Sequence, residues 1–170
     1  YGVINLKKIL QKSSNIGAAK IMLSLQPQAY WGLLRHLGFG QRTQSGFPGE
    51  VTGSLVSRQT WQPSVVATLA YGYGIAVTAL QLAHAYAILA DSGLDVPVSF
   101  VKVSDPSVGR RVLRPEVADE VVKILESVVK KGGTGTRARI KNYRVAGKTG
   151  TAYIATKNGY DKRRYTASFV

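Results

Sequence analysis

The sequence has 170 residues, of which 45% are hydrophobic, so the chain has enough apolar material for a folded core and is not a disordered segment. It has no cysteine, which excludes a thiol nucleophile, a disulfide framework and a cysteine-rich zinc site. Its 23 basic and 9 acidic residues give a net charge of +14, which fits either an anionic partner or a piece of a protein whose acidic residues lie elsewhere.

Membrane and metal signals are also absent from the sequence. No apolar run reaches about 18 residues, so we expect no transmembrane span, and lysines interrupt the apolar residues near the start, so we expect no secretory signal there. His36 and His84 lie in separate helix-like segments without a partner at ligand spacing, so we expect no metal site.

The first forty residues are predicted to be helical. Apolar residues recur every three or four positions from Leu6 to Leu23, and the pattern breaks at Ser13-Ser14-Asn15, whose short polar side chains favour caps and turns. We therefore predict two helices with a polar joint, followed by a third over Gln28–Leu37. Residues 41–62 are glycine-rich and aperiodic, which predicts a long surface loop, a kind of segment that often carries function.

The middle of the chain continues with helices. Ser64–Tyr71 and Val77–Ala90 are predicted helices on either side of a YGYG stretch, and the second is apolar nearly all round, which indicates burial. The β-branched residues of Val96–Val103 predict a strand. An amphipathic helix is predicted from Pro115 to about Lys130, with proline and glutamate in its first turn and lysine in its last.

Antiparallel strands are predicted for the last part of the chain. We expect one strand from Tyr143 through Tyr153, a hairpin turn at Lys157-Asn158-Gly159 and another strand from Tyr165, since Asn-Gly is a strong hairpin signal. Helices therefore come first and strands last, with a sheet that we expect to be incomplete.

The stretch RVAGKTGTAYIAT, residues 144–156, contains the most informative motif. A phosphate-binding loop ending in Gly-Lys-Thr needs a glycine at position 142, where the sequence has Asn142, and a helix after the threonine, where it has strand-forming residues. Read instead as Lys148-Thr149-Gly150 on a strand, it supplies a positive charge, a hydroxyl for a substrate carboxylate and a glycine where a substrate backbone can approach closely.

A second motif lies far upstream of the first. Ser13-Ser14-Asn15 fits Ser-x-Asn, in which a hydroxyl and an amide project from a loop between helices. Penicillin-binding proteins and serine β-lactamases combine Ser-x-x-Lys, an element of this Ser-x-Asn type and Lys-Thr-Gly. Two of these three elements are present here in that order.

Three stretches make the resemblance specific: LQKSSNIGAAKI, YGYGIAVTALQLAHAYAILADSG and GGTGTRARIKNYRVAGKTGTA. They resemble the transpeptidase domain of class B penicillin-binding proteins, and within that class the division-specific septal enzymes of the penicillin-binding protein 3 type. The resemblance implies an α+β fold in three layers, like that of serine β-lactamases and transpeptidases, with an antiparallel sheet flanked by helices. We expect residues 1–170 to be a partial domain, its middle and later part.

The resemblance also implies roles for the motif residues. Ser13 and Asn15 would assist proton transfer and hold the substrate amide, and Lys148 would set the electrostatics of the site. The hydroxyls of Thr149 and Thr151 would bind the substrate carboxylate, and the Thr151 N–H would be one oxyanion-hole donor. Among the remaining residues, Gly150 would admit the substrate, and Tyr73 would form an aromatic wall of the cleft, although buried packing explains that tyrosine equally well.

The nucleophile is expected to lie outside these residues. The family's Ser-x-x-Lys precedes Ser-x-Asn by several tens of residues, and only twelve residues precede Ser13. Two literal matches occur later, Ser99–Lys102 and Ser127–Lys130. We reject the first because it lies in a predicted strand, where residues three apart point to opposite faces, and the second because it lies at the wrong end of a helix for an alkoxide. We also expect the C-terminal strands and helix of the domain to be absent.

The function implied is that of a peptidoglycan D,D-transpeptidase, which cross-links stem peptides ending in D-Ala-D-Ala through an acyl-enzyme and is inhibited by β-lactams. We expect no metal or organic cofactor, no nucleic-acid partner, a location on the periplasmic face of the bacterial inner membrane, and divisome membrane proteins as partners of missing regions. Two alternatives stay open: a D,D-carboxypeptidase or β-lactam sensor of the same fold, and a basic non-catalytic module that binds anionic polymers.

Overall fold

The computed structural model describes residues 2–57, 61–104, 108–157 and 159–170. They divide into two compact units. The first unit consists of the residues up to Ser14 together with Val122–Val170, and the second consists of Asn15–Val121. Both units contain helical residues and antiparallel strand pairs.

In the described residues, three helices come first, short strands are interspersed with the later helices, and two long strands come last. The helices are α1 (Leu6–Lys12), α2 (Asn15–Leu23), α3 (Pro27–His36), α4 (Pro63–Leu69), α5 (Ala79–Ala90) and α6 (Pro115–Val129), with a 3₁₀ turn at Thr136–Ala138. The strands are β1 (Ser54–Leu55), β2 (Ile75–Ala76), β3 (Leu94–Asp95), β4 (Arg110–Arg111), β5 (Thr149–Thr156) and β6 (Gly159–Phe169). They pair as β1 with β2, β3 with β4 and β5 with β6.

The second unit has a small apolar core between α3 and α5. Leu34, Phe39 and Ala85 are buried there. They are joined by half-buried neighbours on the flanking helices and short strands: Tyr30, Leu37, Leu55, Val77 and Leu82. α5 buries only one face, at Gln81, Ala85 and Ile88, while Ala83 and Ala87 are exposed, so its all-round apolar composition overstated its burial. The helix also begins two residues later than predicted.

A buried glutamine organises the loop that precedes α4. Gln81 is 1% exposed, and its Nε2 donates to the carbonyl oxygens of Gln41 (2.6 Å) and Thr52 (2.9 Å). Its Oε1 accepts from the backbone N–H of Thr78, which closes a capping box at the start of α5. The predicted loop is therefore irregular over most of its described length but anchored, with β1 as its one regular element between residues 41 and 57.

The first unit is built on the second half of α6 and the β5–β6 hairpin. Leu125, Val128 and Val129 of α6 are buried, at 6%, 0% and 4% exposure. The strands pair in register from Thr149 with Phe169 to Thr156 with Gly159, with one irregularity after Tyr153. The hairpin prediction is confirmed in its pairing, while Asn158 of its predicted turn lies outside the described residues.

One predicted strand is wrong. Residues 96–103 form no strand. Pro97 lacks a backbone donor, and the Ser99 hydroxyl donates to the carbonyl oxygen of Val101 (2.7 Å) and accepts from its N–H (3.1 Å), so local bonds replace a ladder.

Two strand boundaries also differ from the prediction. β5 begins at Thr149 rather than Tyr143, because the Tyr143 N–H closes a turn with Ile140 (3.2 Å) and Asn142 is left-handed (φ 67°). β6 begins at Gly159 rather than Tyr165, since Gly159, Tyr160 and Asp161 already pair with the end of β5.

Candidate active site

The candidate site in the first unit begins at the joint after α1. Ser13 follows the helix in the left-handed conformation (φ 52°, ψ 49°). Its N–H donates to the Leu10 carbonyl oxygen (3.1 Å), and the N–H of Ser14 donates to that of Ile9 (2.9 Å), which is a Schellman motif. Glycine is the usual residue at this position, so serine is held here in a strained backbone conformation.

Lys148 reaches this serine from the strand side. Its backbone pairs with Val170, donating at 2.8 Å and accepting at 3.2 Å, which extends the β5–β6 ladder by one pair. Its Nζ donates to the Oγ of Ser13 (2.6 Å) and to the carbonyl oxygen of Thr149 (2.8 Å). Burial lowers the pKa of the Lys148 ammonium below its ordinary value, because a less polar environment disfavours the charged form.

The pairing at Lys148 fixes where the next backbone groups point. In an antiparallel ladder, pairs that exchange both hydrogen bonds alternate with pairs that exchange none. Lys148 and Val170 exchange both, so the N–H and C=O groups of Thr149 and Thr151 point away from β6, towards the outer edge of β5. The bond from Lys148 Nζ to the Thr149 carbonyl agrees with this assignment. The strand therefore presents backbone donors at this edge.

Thr134 is a site residue that sequence reasoning missed. Its Oγ1 lies 2.7 Å from the Oγ1 of Thr149. It lies between Gly133 and Gly135, whose N–H groups donate to the carbonyl oxygens of Lys130 and Val128 at the end of α6 (both 2.9 Å). The flanking glycines were the available signal, because two glycines around one hydroxyl residue indicate a tightly packed backbone.

The glycines of this region differ in how closely their surroundings approach. A β-carbon at Gly133 would overlap the Val128 carbonyl oxygen, and one at Gly135 would lie 3.1 Å from the Phe169 ring. At Gly150, a β-carbon would lie 2.5 Å from the hydroxyl of Ser168, the residue opposite it on β6. Rotation of the Ser168 side chain would relieve that contact, so packing alone does not require Gly150, and its predicted contact with substrate remains a separate expectation.

The structure brings together Ser13, Lys148 and Thr149, with Thr151 two residues further along β5 and exposed. The other two predicted site residues, Asn15 and Tyr73, belong to the second unit. There Asn15 is the exposed first residue of α2, and Tyr73 is half-buried with its ring edge-to-face against Tyr71, 5.8 Å between centroids.

Neither literal Ser-x-x-Lys match begins a helix. Ser127 is 5% exposed, lies in the last turn of α6 and donates its hydroxyl to the Ile124 carbonyl oxygen (2.6 Å). Ser99 is exposed in an irregular segment rather than in the predicted strand, so the argument from strand geometry does not apply to it. It still lacks the helix N-terminus that would stabilise an alkoxide.

The described residues were compared with the requirements of a metal site and of a membrane-spanning helix. Within residues 2–57, 61–104, 108–157 and 159–170, no three His, Cys, Asp or Glu side chains come together to hold a metal ion. No helix among the same residues has the length and apolar character needed to cross a membrane.

A Ser-x-Asn serine bonded to the lysine of a Lys-Thr-Gly strand is typical of one class of protein, the serine enzymes that react with penicillin. Over residues 1–170, the sequence matches the family described as penicillin binding protein transpeptidase domain. The chain belongs to this family, which confirms the resemblance. Its helices and antiparallel strands, together with the solved structures below, confirm the α+β fold class.

Two curated relatives show how much of a longer protein this chain matches. It is 36% identical over 170 residues to the probable peptidoglycan D,D-transpeptidase PenA of Neisseria meningitidis serogroup A, covering 100% of this chain and 29% of PenA. It is 39% identical over 167 residues to the peptidoglycan D,D-transpeptidase FtsI of Escherichia coli K12, covering 98% of this chain and 28% of FtsI. The chain therefore spans less than a third of these relatives.

Solved structures agree in fold. The apo transpeptidase domain of penicillin-binding protein 3 from Burkholderia pseudomallei is 43% identical with a TM-score of 0.94, over 99% of this chain and 52% of that one. Penicillin-binding protein 3 from Mycobacterium tuberculosis, complexed with ampicillin, is 31% identical with a TM-score of 0.90, over 97% of this chain and 40% of that one.

Proposed function

We propose that the chain is part of a peptidoglycan D,D-transpeptidase that cross-links stem peptides during septal cell-wall synthesis and binds β-lactams. The observation that supports this most strongly is the 2.6 Å hydrogen bond between Lys148 Nζ and Ser13 Oγ, which joins the two motifs in one unit. The family membership and the D,D-transpeptidase names of the relatives support the same reaction class.

In the proposed reaction, the serine of a Ser-x-x-Lys element attacks the penultimate D-alanine carbonyl, and the terminal D-alanine leaves once its nitrogen is protonated. Ser13 is the proposed proton donor to that nitrogen, and Lys148 resupplies the proton through the bond it already donates to Ser13. Burial lowers the pKa of Lys148, which makes its ammonium a stronger acid and so eases proton transfer to Ser13.

The strand edge is the proposed substrate cradle. The Thr149 and Thr151 hydroxyls would bind the substrate carboxylate beside the Lys148 ammonium, and the outward Thr151 N–H would donate to the oxyanion. Gly150 would keep the edge accessible. The outward direction of the Thr149 and Thr151 backbone groups supports this proposal.

The remaining roles rest on the motifs alone. Asn15 is proposed to hold the substrate amide and Tyr73 to form an aromatic wall of the cleft. β-Lactams would acylate the same attacking serine as D-Ala-D-Ala does. The proposed setting is the periplasmic face of the inner membrane, with divisome membrane proteins as partners of other regions.

The experiment that tests this function measures product formation by the intact protein that contains this domain. With a stem-peptide donor and an amine acceptor, a transpeptidase forms a cross-linked product that rises with acceptor concentration. A D,D-carboxypeptidase would release D-alanine whether or not acceptor is present, and a sensor would form a stable acyl-enzyme without turnover. Either of these results would contradict the transpeptidase assignment, although the chain would still belong to the same family.

A further inference from the structure

A basic cavity lies in the first unit, between the end of α6 and the segment that leads to β5. It has a volume of about 320 Å³ and is lined by residues 126, 129, 130, 139, 140 and 143–145. Apart from Glu126, its lining comes from residues 127–160, a stretch that has eight basic residues and no acidic one. The proposed transpeptidase reaction uses Lys148 from this run and none of the cavity residues.

Apolar and aromatic groups form part of the cavity lining. Val129 is buried at 4% exposure, whereas Ile140 and Tyr143 are exposed to 58% and 74%. Large apolar side chains with this much exposure beside a cavity provide area that a ligand can bury. Tyrosine also contributes to binding beyond its area, because its ring is rigid and its hydroxyl can hydrogen-bond.

Three cations and one carboxylate line the same cavity. Arg144 donates two hydrogen bonds to one oxygen of Glu126, from Nε (3.1 Å) and Nη2 (2.5 Å), and Lys130 Nζ lies 3.6 Å from the other oxygen. Within the described residues Arg139 makes one hydrogen bond, from Nε to Thr136 (3.2 Å), so its terminal nitrogens are available to a ligand. With three positive charges against one negative, the lining attracts anions.

We propose that the basic cavity docks an acidic peptide segment in which one apolar side chain is flanked by Asp or Glu residues. The apolar side chain would occupy the volume beside Val129, Ile140 and Tyr143, and the carboxylates would pair with Arg139 and Lys130. A polyphosphate or another featureless polyanion would use the cations alone and leave the apolar lining exposed. The mixed lining therefore favours a peptide.

Fluorescence anisotropy of a labelled peptide tests this proposal on the whole chain. The probe is Gly-Asp-Glu-Leu-Asp-Glu-Gly, and the comparison peptides replace its leucine by glycine or its acidic residues by lysine. We expect the probe to bind in a salt-sensitive manner, the glycine peptide to bind at least about threefold more weakly and the lysine peptide not to bind. Failure of the probe to bind overturns the proposal.

Two variants and a matched control locate the binding. Arg139→Ala and Ile140→Ser should each lower the affinity for the probe peptide by about threefold to tenfold. Lys157→Ala removes a charge at the end of the β5–β6 hairpin and should change that affinity by less than about twofold. Circular dichroism verifies each fold, and Arg139→Gln replaces the alanine variant if that one unfolds. An equal loss in Lys157→Ala, or equal binding of the leucine and glycine peptides, contradicts a peptide site.

Discussion

The Nζ of Lys148 and the Oγ of Ser13 form a 2.6 Å hydrogen bond across 135 residues of sequence. The lysine comes from the pair that extends the β5–β6 ladder, and the serine from the left-handed end of α1. Each partner is positioned by backbone hydrogen bonds of its own element. The backbones that carry the two side chains are therefore preorganised for the contact.

Replacing Ser13 by glycine should separate stability from activity. Glycine adopts φ 52° without the cost that a β-carbon brings, so Ser13→Gly should leave the free energy of unfolding unchanged or raise it by up to about 1 kcal/mol. Loss of the hydroxyl should nevertheless slow β-lactam acylation of the intact protein by about 100-fold. Urea unfolding and acylation kinetics measure the two effects, and a strongly destabilised variant would contradict the strain assigned to Ser13.

Thr134→Val should impair recognition of a substrate carboxylate. The change keeps the shape of the side chain but removes the hydroxyl that lies 2.7 Å from the Thr149 hydroxyl. A lost hydrogen bond of this kind is worth about 1 kcal/mol, so kcat/KM should fall about fivefold, mainly through KM. Thr134→Ser should restore it. If the serine variant is as impaired as the valine variant, the hydroxyl pair has no part in recognition.

The two motifs and most helices could be predicted from the sequence, because helix periodicity and caps are local signals. Lys148 and Ser13 could be paired from sequence only through the family's motifs, since no local rule links residues this far apart. Val96–Val103 was wrongly predicted as a strand because β-branched composition outweighed Pro97 and the local bonds of Ser99. Thr134 was missed because its role depends on packing of its neighbouring glycines against α6 and Phe169.

Ser99 and Ser127 should not be acylated by a β-lactam. The hydroxyl of Ser127 is buried and donates within α6, and Ser99 lies in an irregular segment without a helix N-terminus. Mass spectrometry of the chain after treatment with benzylpenicillin should find no adduct on either serine. An adduct on one of them would identify a nucleophile that the geometry argues against.

Acid should loosen the loop around Glu50 only at very low pH. Its carboxylate accepts from the Thr43 hydroxyl (2.5 Å), the Ser45 hydroxyl and the N–H groups of Gln44 and Ser45. These bonds lower its pKa from 4.5 to about 2, with the side-chain bond from Ser45 the largest cause. The stabilisation is therefore complete above pH 4.5 and is lost as the pH falls through about 2.

Hydrogen exchange of the Gln44 and Ser45 amides measures this effect. Their protection factors should persist at pH 4 and fall as the pH approaches 2, whereas Glu50→Gln should lower them already at pH 5 and remove the pH dependence. Equal protection in the variant and the wild-type protein at pH 5 would show that the carboxylate does not order this loop.

The acylation rate of Lys148→Ala tests the central claim most directly. Fluorescent penicillin should label this variant of the intact protein at least about 100-fold more slowly than the wild-type protein, because both the proton supply to Ser13 and the positive charge beside the carboxylate are lost. Lys157→Ala, the matched loss of a lysine from the end of the same hairpin, should be labelled at the wild-type rate. Labelling of a folded Lys148→Ala protein at the wild-type rate would contradict the role proposed for Lys148 in this site.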